Sequence, residues 1–259
     1  RSPALHGFWL KKYGVKGHYI PMDVAPADLE ETLRFLPKIG FVGLNVTIPH
    51  KEAALKIADV ISDRAALIGA ANTLIFRKDG KIHADNTDGI GFIANLRQHA
   101  PHWRPADGPA AVLGAGGAAR AVVAALIEFG APEIRIANRT RPRADALRAD
   151  FGAKVTVYDW VHAGNMLEGA ATVINTTSLG MAGKPDFRVP MDALDPGAVV
   201  NDLVYTPLKT QFLLEAEKRG ATIVDGLGML LHQAAPGFER WFGPTPQVDE
   251  EARQAVLGS

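Results

Sequence analysis

The chain has 259 residues, of which 47% are hydrophobic and 22% are charged, with 28 basic residues against 28 acidic ones. This balance gives no electrostatic basis for binding nucleic acid or an anionic membrane. The sequence contains no cysteine, which excludes disulfides, thiolate metal sites and a cysteine nucleophile. It has no apolar run long enough to cross a bilayer, and we expect a cytoplasmic protein with two modest domains.

The first 36 residues predict helices and a strand but contain no pattern of catalytic residues. Ser2 and Pro3 suit the N-cap and first position of a helix that Gly14 ends, and the Ser2 hydroxyl can also hold a small carboxylate. A strand is expected over residues 18–23, and an amphipathic helix follows from Pro26. The apolar face of that helix consists of Leu29, Leu33 and Leu36.

Polar side chains appear where a buried strand predicted over residues 41–45 ends. Asn45 and Thr47 lie at this end, Pro49 interrupts the extended run, and Lys51 begins a helix. Ligands of open α/β sheets lie beyond the carboxyl ends of strands, so these side chains are expected together. A cation is unfavourable at a helix N-terminus, which indicates that Lys51 faces a carboxylate or substrate; a solvated lysine is the alternative.

A hairpin follows, in which a strand from Asn72 pairs through a turn at residues 79–80 with residues 81–84. Residues 85–89, Asp-Asn-Thr-Asp-Gly, then lead into a helix over residues 90–98. Asx and Thr residues before a helix are ordinary caps, and one of them can cap the helix while another faces a ligand. Prolines near position 105 mark a linker, and the histidines beside them are too few to predict a metal site.

The next apolar strand, residues 111–113, ends in a glycine-rich turn that continues as a helix. The turn consists of Gly114, Ala115, Gly116, Gly117 and Ala118. With Ala119 it fits the dinucleotide-binding pattern G-x-G-x-x-G/A, in which a pyrophosphate lies on the helix N-terminus. Taken alone, the turn fits plain helix-strand packing equally well.

The second strand of this unit ends at Asn138, Arg139 and Thr140, about 20 residues past the glycines, where NAD-binding units usually carry an acidic residue. Here Arg139 and Arg143 offer positive charge and Thr140 a hydroxyl to a 2′-phosphate. The predicted cofactor is therefore NADP. The alternative is that these arginines are a solvated helix start, which is how we interpret Arg141.

Further strands are expected over residues 133–137, 154–157, 171–175, 198–202 and 221–225. Thr176, Thr177 and Ser178 fall at a strand end over the cofactor crevice. Tyr205 follows the next strand, before a helix near residue 208, and either belongs to a plain turn or lies beside the substrate and nicotinamide. Gly226 permits close approach of the backbone.

The last part of the sequence predicts a helix over residues 229–241 and a short helix over residues 249–257. The apolar stripe of the first helix consists of Leu230, Ala234, Phe238 and Trp241. Gln233 lies off this stripe.

Seven of these segments, in this order, resemble the shikimate dehydrogenase family. They are residues 45–51, 69–73, 85–89, the turn at 114–119, and residues 174–181, 201–208 and 225–234. The resemblance covers essentially the whole chain. It implies an NADPH-dependent, reversible reduction of 3-dehydroshikimate to shikimate, in chorismate and aromatic amino-acid biosynthesis.

The resemblance also implies a two-domain α/β architecture. A substrate domain with a mixed sheet would comprise residues 1–90 and the helices of residues 229–259. A Rossmann-like, doubly wound NADP-binding domain would comprise residues 91–228. We expect a small-molecule substrate, no metal, no nucleic acid or membrane partner, and a monomer or homodimer.

By resemblance, Lys51 and Asp88 form the catalytic pair, with Lys51 donating the proton and Asp88 orienting it. The substrate would be held by Ser2 at its carboxylate and at its ring hydroxyls by Asn45, Thr47, Asn72 and Gln233. A lysine beside an aspartate tends to keep its proton, which suits this role.

The sequence departs from the family pattern at its start. The family begins with a strand, a glycine-proline turn and a Ser-x-Ser-Pro motif, whereas this sequence starts inside that motif at Arg1. We expect either an omitted N-terminus or a truncated form with weaker substrate binding. Two alternatives to the main function are an NAD-using quinate/shikimate dehydrogenase and a catalytically silent sensor of a shikimate-like ligand.

Overall fold

Two units make up the chain in the computed structural model, which describes residues 1–258. The first unit joins Arg1–Gly91 to the segment from Leu230 onward, and the second unit is Phe92–Met229. Both boundaries fall inside helices. The first unit is therefore discontinuous in sequence.

Helices and strands alternate along most of the described chain. In chain order the helices are α1 Ser2–Lys12, α2 Leu29–Phe35, α3 Lys51–Ile57, α4 Asp63–Ile68, α5 Asp88–His99, α6 Gly117–Glu128, α7 Arg141–Phe151, α8 Gln211–Lys218, α9 Leu227–Phe242 and α10 Glu250–Leu257. The strands are β1 Gly43–Asn45, β2 Val60–Ile61, β3 Thr73–Phe76, β4 Ile82–Asp85, β5 Ala110–Leu113, β6 Ile134–Ala137, β7 Val155–Tyr158, β8 Thr172–Asn175, β9 Val199–Asp202 and β10 Thr222–Val224. None of the helices within residues 1–258 has the length and apolar character needed to cross a membrane.

The first unit contains a four-stranded mixed sheet in the order β1-β3-β4-β2. Strand β3 pairs antiparallel with β1 and β4, whereas β2 runs parallel to β4. The predicted β3–β4 hairpin is confirmed, and Gly80 in its turn has φ of 83°, which favours glycine. Buried leucine and isoleucine side chains, among them Leu33, Leu74 and Ile82, form the core of this unit.

Helix α9 packs closely on this sheet. The Trp241 indole N–H donates a 2.9 Å hydrogen bond to the Leu74 carbonyl. A Cβ atom added at Gly43 would lie 2.0 Å from Trp241 Nε1 and 2.3 Å from the Leu74 oxygen. Glycine at position 43 is what lets the helix and the strands approach so closely.

The second unit contains a six-stranded parallel sheet in the order β10-β9-β8-β5-β6-β7. The chain runs outward from β5 through β7 and then returns to β8 on the other side of β5, which is the doubly wound arrangement. Neighbouring side chains of β5, Val112 and Leu113, belong to two different buried clusters, so both faces of the sheet are covered. The predicted Rossmann-like fold is confirmed.

The chain enters and leaves the second unit at neighbouring points. The Asn95 side-chain amide on α5 donates a 2.8 Å hydrogen bond to the Asp225 carbonyl, just before α9. A Cβ atom added at Gly228 would lie 1.9 Å from Asn95 Oδ1. Helices α5 and α9 are therefore in direct contact where they border this unit.

Several sequence-based expectations differ from the structure. Residues 18–23 form no strand, because neither edge strand of the first sheet pairs with them and most of them are exposed. The strand expected over residues 41–45 is only the short, half-buried β1. Helix α8 begins later than residue 208, because the Thr210 hydroxyl caps it at Leu213 N. On α9, Leu231 is buried and Leu230 only half-buried.

Candidate active site

An ion pair joins the first residues of two helices in the first unit. Lys51 begins α3 and Asp88 begins α5, and Lys51 Nζ lies 2.8 Å from Asp88 Oδ2. Their side chains are 28% and 12% exposed. The positive end of α5 stabilises the carboxylate, and the carboxylate in turn offsets the unfavourable position of the lysine at the start of α3. This ion pair is the charged centre of the candidate site.

The segment before α5 orients Asp88. The Asp88 backbone N–H donates to Asn86 Oδ1 at 3.1 Å, so Asn86 satisfies the first N–H of the helix while the Asp88 side chain is left to face Lys51. Asn86 Nδ2 donates to the Ala70 carbonyl at 2.9 Å. Asn86 therefore holds the start of the helix, and Asp88 beside it forms the ion pair with Lys51.

Asn72 connects the other polar side chains of the site. Its Nδ2 donates to Asp88 Oδ1 at 2.8 Å and to Gln233 Oε1 at 3.1 Å. Its Oδ1 accepts from the Thr87 backbone N–H at 2.9 Å. Each Asp88 oxygen therefore has its own partner, Lys51 on one side and Asn72 on the other.

Gln233 reaches this cluster from α9. Its Nε2 donates to the Leu230 carbonyl of its own helix at 2.9 Å, which leaves Oε1 for Asn72. The Thr87 hydroxyl donates to the Gln233 carbonyl at 2.8 Å and further fixes the helix. The structure thus brings together Lys51, Asp88, Asn72 and Gln233, which the sequence analysis named separately.

Asn45 lies at the end of β1, beside the same cluster. Its Nδ2 makes long contacts of 3.3 Å with the Asn72 carbonyl and 3.4 Å with Thr73 Oγ1. Its Oδ1 accepts a 2.8 Å hydrogen bond from the Tyr19 hydroxyl. Burial raises the pKa of Tyr19 to about 12, so this phenol stays a donor at neutral pH.

Ser2 and Thr47 are placed differently from the rest. Ser2 is the first residue of α1 and not its N-cap, which is Arg1, so the expected cap is wrong. The Ser2 side chain lowers the pKa of the Tyr19 phenol, against the larger effect of burial. Thr47 is exposed, and its carbonyl accepts from the His50 N–H in a turn.

The glycine-rich turn of the second unit leaves room in front of α6. Gly114 has φ of 108°, and a Cβ there would lie 2.6 Å from Thr176 Oγ1, so the fold itself requires this glycine. At Gly116 and Gly117 a Cβ would meet nothing within 4 Å, and no side chain caps α6. An anion the size of a phosphate therefore has space at this helix N-terminus.

The end of β6 supplies cations next to this turn. Asn138 Oδ1 accepts from the Ala115 N–H at 3.2 Å, and its Nδ2 donates to the Thr140 carbonyl at 2.8 Å, so Asn138 joins the two turns. Arg141 forms ion pairs with Asp159 and Asp145. Arg139 and Arg143 are exposed and form no ion pair with the described residues. These two arginines are the ones available to an anion.

Three families match the chain in the order of these elements. They are "Shikimate dehydrogenase substrate binding domain" over residues 1–74, "Shikimate / quinate 5-dehydrogenase" over residues 101–181 and "Shikimate 5'-dehydrogenase C-terminal domain" over residues 226–257. Over all of its 259 residues the chain is 74% identical to a Cereibacter sphaeroides protein named shikimate dehydrogenase (NADP(+)), of which it covers 93%. The chain belongs to the shikimate dehydrogenase family.

Solved structures of similar proteins share the fold. The quinate dehydrogenase from Corynebacterium glutamicum in complex with NAD has a TM-score of 0.92 and 29% identity, with 100% of this chain and 94% of that chain covered. The shikimate 5-dehydrogenase from Thermus thermophilus in complex with NADP(H) and shikimate has a TM-score of 0.87 and 37% identity, with 98% and 94% covered.

In this member of the shikimate dehydrogenase family, two of the hydroxyls predicted at the cofactor edge are engaged by the protein. Thr176 Oγ1 donates to the Leu113 carbonyl at 2.8 Å, and Thr177 Oγ1 donates to Asn175 Oδ1 at 2.7 Å. Ser178 is exposed. The two threonines therefore shape the loop, and Ser178 is the residue whose side chain faces solvent.

Gly226 and Tyr205 lie in the loops that follow β10 and β9. A Cβ at Gly226 would be 2.3 Å from the Leu203 carbonyl oxygen, so close packing of the two loops requires glycine there. Tyr205 is half-buried. No group of three or more potential metal ligands occurs within residues 1–258.

Sequence reasoning assigned no specific role to three residues that support this candidate site. Tyr19 orients Asn45, Thr87 holds both Asn72 and α9, and His6 stacks on Tyr19 with ring centroids 4.0 Å apart. Burial lowers the pKa of His6 to about 3, so its ring is neutral. The neighbouring Asn-Thr-Asp motif could have indicated Thr87, whereas Tyr19 and His6 carry no local signal.

Proposed function

We propose that this protein catalyses the reversible, NADPH-dependent reduction of 3-dehydroshikimate to shikimate. The observation that carries the proposal is the 2.8 Å ion pair of Lys51 and Asp88, which lies beside the side-chain amides of Asn72 and Gln233. Reduction of a ketone needs a proton donor at the carbonyl oxygen, and a ring with several hydroxyls needs hydrogen-bonding groups around it. The site offers both. The sequence identity to a protein named shikimate dehydrogenase (NADP(+)) supports the same reaction.

The first unit serves as the substrate domain in this proposal. The ring hydroxyls are bound by Asn45, Thr47, Asn72 and Gln233, the carboxylate by Ser2, and Tyr205 is a further substrate-binding residue. Amide side chains can both donate to and accept from a hydroxyl, which suits a ligand with several of them. A change of the ring hydroxyls would leave one of these groups unpaired, and this is the basis of selectivity.

The second unit serves as the NADP-binding domain. The open space at Gly116 and Gly117 and the unpaired Arg139 and Arg143 fit a pyrophosphate and a 2′-phosphate. The remaining cofactor-binding positions are Gly114, Ala115, Ala118, Asn138, Thr140, Thr176, Thr177, Ser178 and Gly226. When bound, NADPH supplies the hydride that reduces the ketone.

Lys51 completes the reduction. Reduction of the ketone places negative charge on the carbonyl oxygen, and Lys51 Nζ would transfer a proton to that oxygen to give the alcohol. Asp88 stabilises the ammonium before transfer and accepts a hydrogen bond from a substrate hydroxyl. Because Lys51 is 28% exposed, solvent can return the proton to it.

The proposal is tested by oxidation of shikimate with NADP, followed at the nicotinamide absorbance, in the parent chain, in Lys51→Ala and in Lys56→Ala. Lys56 is exposed on the same helix and serves as the matched control. We expect a positioned proton-transfer group to be worth about 10²–10⁴-fold, so kcat should fall by that factor in Lys51→Ala alone. NADP binding should be unchanged in both variants.

A parent chain that binds NADP and does not oxidise shikimate would overturn the proposal. The same assay with NAD in place of NADP, and with quinate in place of shikimate, separates the proposed reaction from that of an NAD-using quinate dehydrogenase. We expect NADP with shikimate to give the highest kcat/KM. For the cofactor the reason is that the end of β6 carries Arg139 in place of the acidic residue that binds a free ribose hydroxyl. We further propose that the enzyme acts in the cytoplasm as a monomer or homodimer.

A further inference from the structure

Three polar side chains near the carboxyl ends of the strands in the second sheet are completely buried and have no role in the reaction described above. Asn175 ends β8, Asp202 ends β9, and Thr210 caps α8; each is 0% exposed. Buried polar groups of this kind are costly unless all of their hydrogen bonds are made. Their position at the carboxyl ends of the strands places them at the edge where open α/β sheets bind ligands.

Asp202 is the centre of this group. Its Oδ2 accepts from the Thr210 hydroxyl at 2.6 Å, and its Oδ1 accepts from Asn175 Nδ2 and from the Val204 N–H, both at 3.0 Å. No cation among residues 1–258 forms an ion pair with it. Burial raises the pKa of Asp202 to about 6 against these three hydrogen bonds, so the carboxylate is retained at an energetic cost.

The carboxylate also fixes the orientation of the Asn175 amide. A carboxylate only accepts hydrogen bonds, so the Asn175 NH₂ group must face Asp202 and its oxygen must face away. That oxygen accepts from the Thr177 backbone N–H at 3.0 Å and from the Thr177 hydroxyl at 2.7 Å. The Thr177 hydroxyl then accepts from the Leu179 N–H at 3.1 Å. A continuous chain of hydrogen bonds therefore runs from Asp202 into residues 176–179.

Asp202 holds a second loop at the same time. The bond from the Val204 N–H and the bond from Thr210 tie down both ends of the loop that contains Tyr205. The two loops that follow β8 and β9 are thus fixed by one side chain. No other acidic side chain is completely buried in the described part of the second unit.

We propose that Asp202 is a positioning residue for the dinucleotide, which acts through Asn175 and Thr177 to hold the loop of residues 176–179 in the shape that binds NADP. This inference rests on the proposed function for one point only, which is that the cofactor is NADP. Asp202 does not touch the ligand; its effect on cofactor affinity passes through the loop.

The test compares Asp202→Ala with Asp202→Asn and with Val200→Ala. Asparagine keeps an oxygen for Asn175 and the Val204 N–H and can donate to Thr210, so it should rescue the loop. Val200 lies on the same strand, is completely buried and belongs to the apolar core, so Val200→Ala destabilises the unit without touching the loops. NADP affinity is measured by calorimetry in the absence of substrate, and amide hydrogen exchange of residues 177–179 is measured in the cofactor-free protein.

We expect Asp202→Ala to weaken NADP binding by about tenfold or more and to speed exchange at residues 177 and 179, while Asp202→Asn and Val200→Ala stay within about threefold of the parent affinity. If Asp202→Ala yields no folded protein, Asn175→Ala is used in its place. This variant removes the next residue in the same series of hydrogen bonds and should weaken NADP binding by the same factor. Parent-like affinity in the folded alanine variants overturns the inference, and so does equal weakening in Val200→Ala or a parent chain that binds no NADP. Intact NADP binding without shikimate oxidation counts against the proposed function alone.

Discussion

The Tyr19 hydroxyl donates a 2.8 Å hydrogen bond to Asn45 Oδ1, across 26 residues of sequence. Because the oxygen of Asn45 is engaged, its NH₂ group is the part that faces other partners, and the contacts it makes there are long. An amide held in this way is ready to donate to a ligand. Tyr19 therefore orients the amide of Asn45, the residue that we propose binds a ring hydroxyl of the substrate.

Replacing Tyr19 with phenylalanine should raise the KM for shikimate with little change in kcat. The loss of one neutral hydrogen bond is worth about 0.5–1.5 kcal/mol, which corresponds to roughly a two- to tenfold rise. Steady-state kinetics with saturating NADP measures the effect. Tyr13→Phe is the control, because the Tyr13 hydroxyl accepts from the Gln247 N–H at 2.9 Å, away from Asn45. A fall in kcat with unchanged KM would contradict the positioning role.

The buried ring of His6 should make the protein sensitive to mild acid. Burial lowers its pKa from 6.5 to about 3 in the folded state. Between these values the unfolded chain takes up a proton that the folded chain refuses, so stability falls as the pH drops below 6.5 and is fully present above it. Between pH 7 and pH 5 this one group should cost about 2 kcal/mol of unfolding free energy.

Urea unfolding at pH 7 and pH 5 tests this expectation with His6→Phe. Phenylalanine can stack in the same place, among Trp9, Tyr19 and Phe238, and cannot titrate. The variant should therefore lose less stability between the two pH values than the parent. His18→Gln, at an exposed histidine, should behave as the parent does. Equal losses in His6→Phe and the parent would mean that His6 does not set the acid sensitivity.

Cofactor preference should depend on two of the three arginines at the start of α7, Arg139 and Arg143. Arg139→Ala and Arg143→Ala should each raise the KM for NADP by roughly ten- to a hundredfold, because a charge-assisted hydrogen bond to the 2′-phosphate is lost. The KM for NAD should change little, since NAD has no such phosphate. Arg141→Ala is the control, because Arg141 is already paired with Asp159 and Asp145. Initial rates measured with NADP and with NAD in all three variants test this assignment. A rise in the KM for NADP that is confined to Arg141→Ala would contradict it.

The sequence was most informative where the cause of structure is local. The turn at Gly80 and the glycines before α6 each follow from the conformation of a few neighbouring residues. The alternation of strand and helix patterns indicated an α/β unit, and the family resemblance implied its doubly wound arrangement. The segment at residues 18–23 failed this reasoning because a strand also needs a partner, and pairing is not a local property.

The candidate site shows the same limit. Lys51 and Asp88 were named because their motifs are distinctive, and the structure adds that each Asp88 oxygen has a separate partner. His6 is different: its burial depends on Phe238, far along the chain, and no pattern around residue 6 contains that information. The network of Asp202 was missed for a similar reason, since it joins the ends of two strands and the start of a helix.

The contact between Asn95 and Gly228 has a consequence for how the molecule assembles. The first unit takes residues from both sides of the second, and Gln233 is synthesised only after the whole sequence of the second unit. Once the second unit folds, its two ends are held side by side, so the long loop between the pieces of the first unit is already closed. The entropic cost of bringing the two pieces of the first unit together is therefore offset when the second unit folds. Folding of the second unit should therefore lower the entropic barrier to folding of the first, and the candidate site that contains Gln233 should form last.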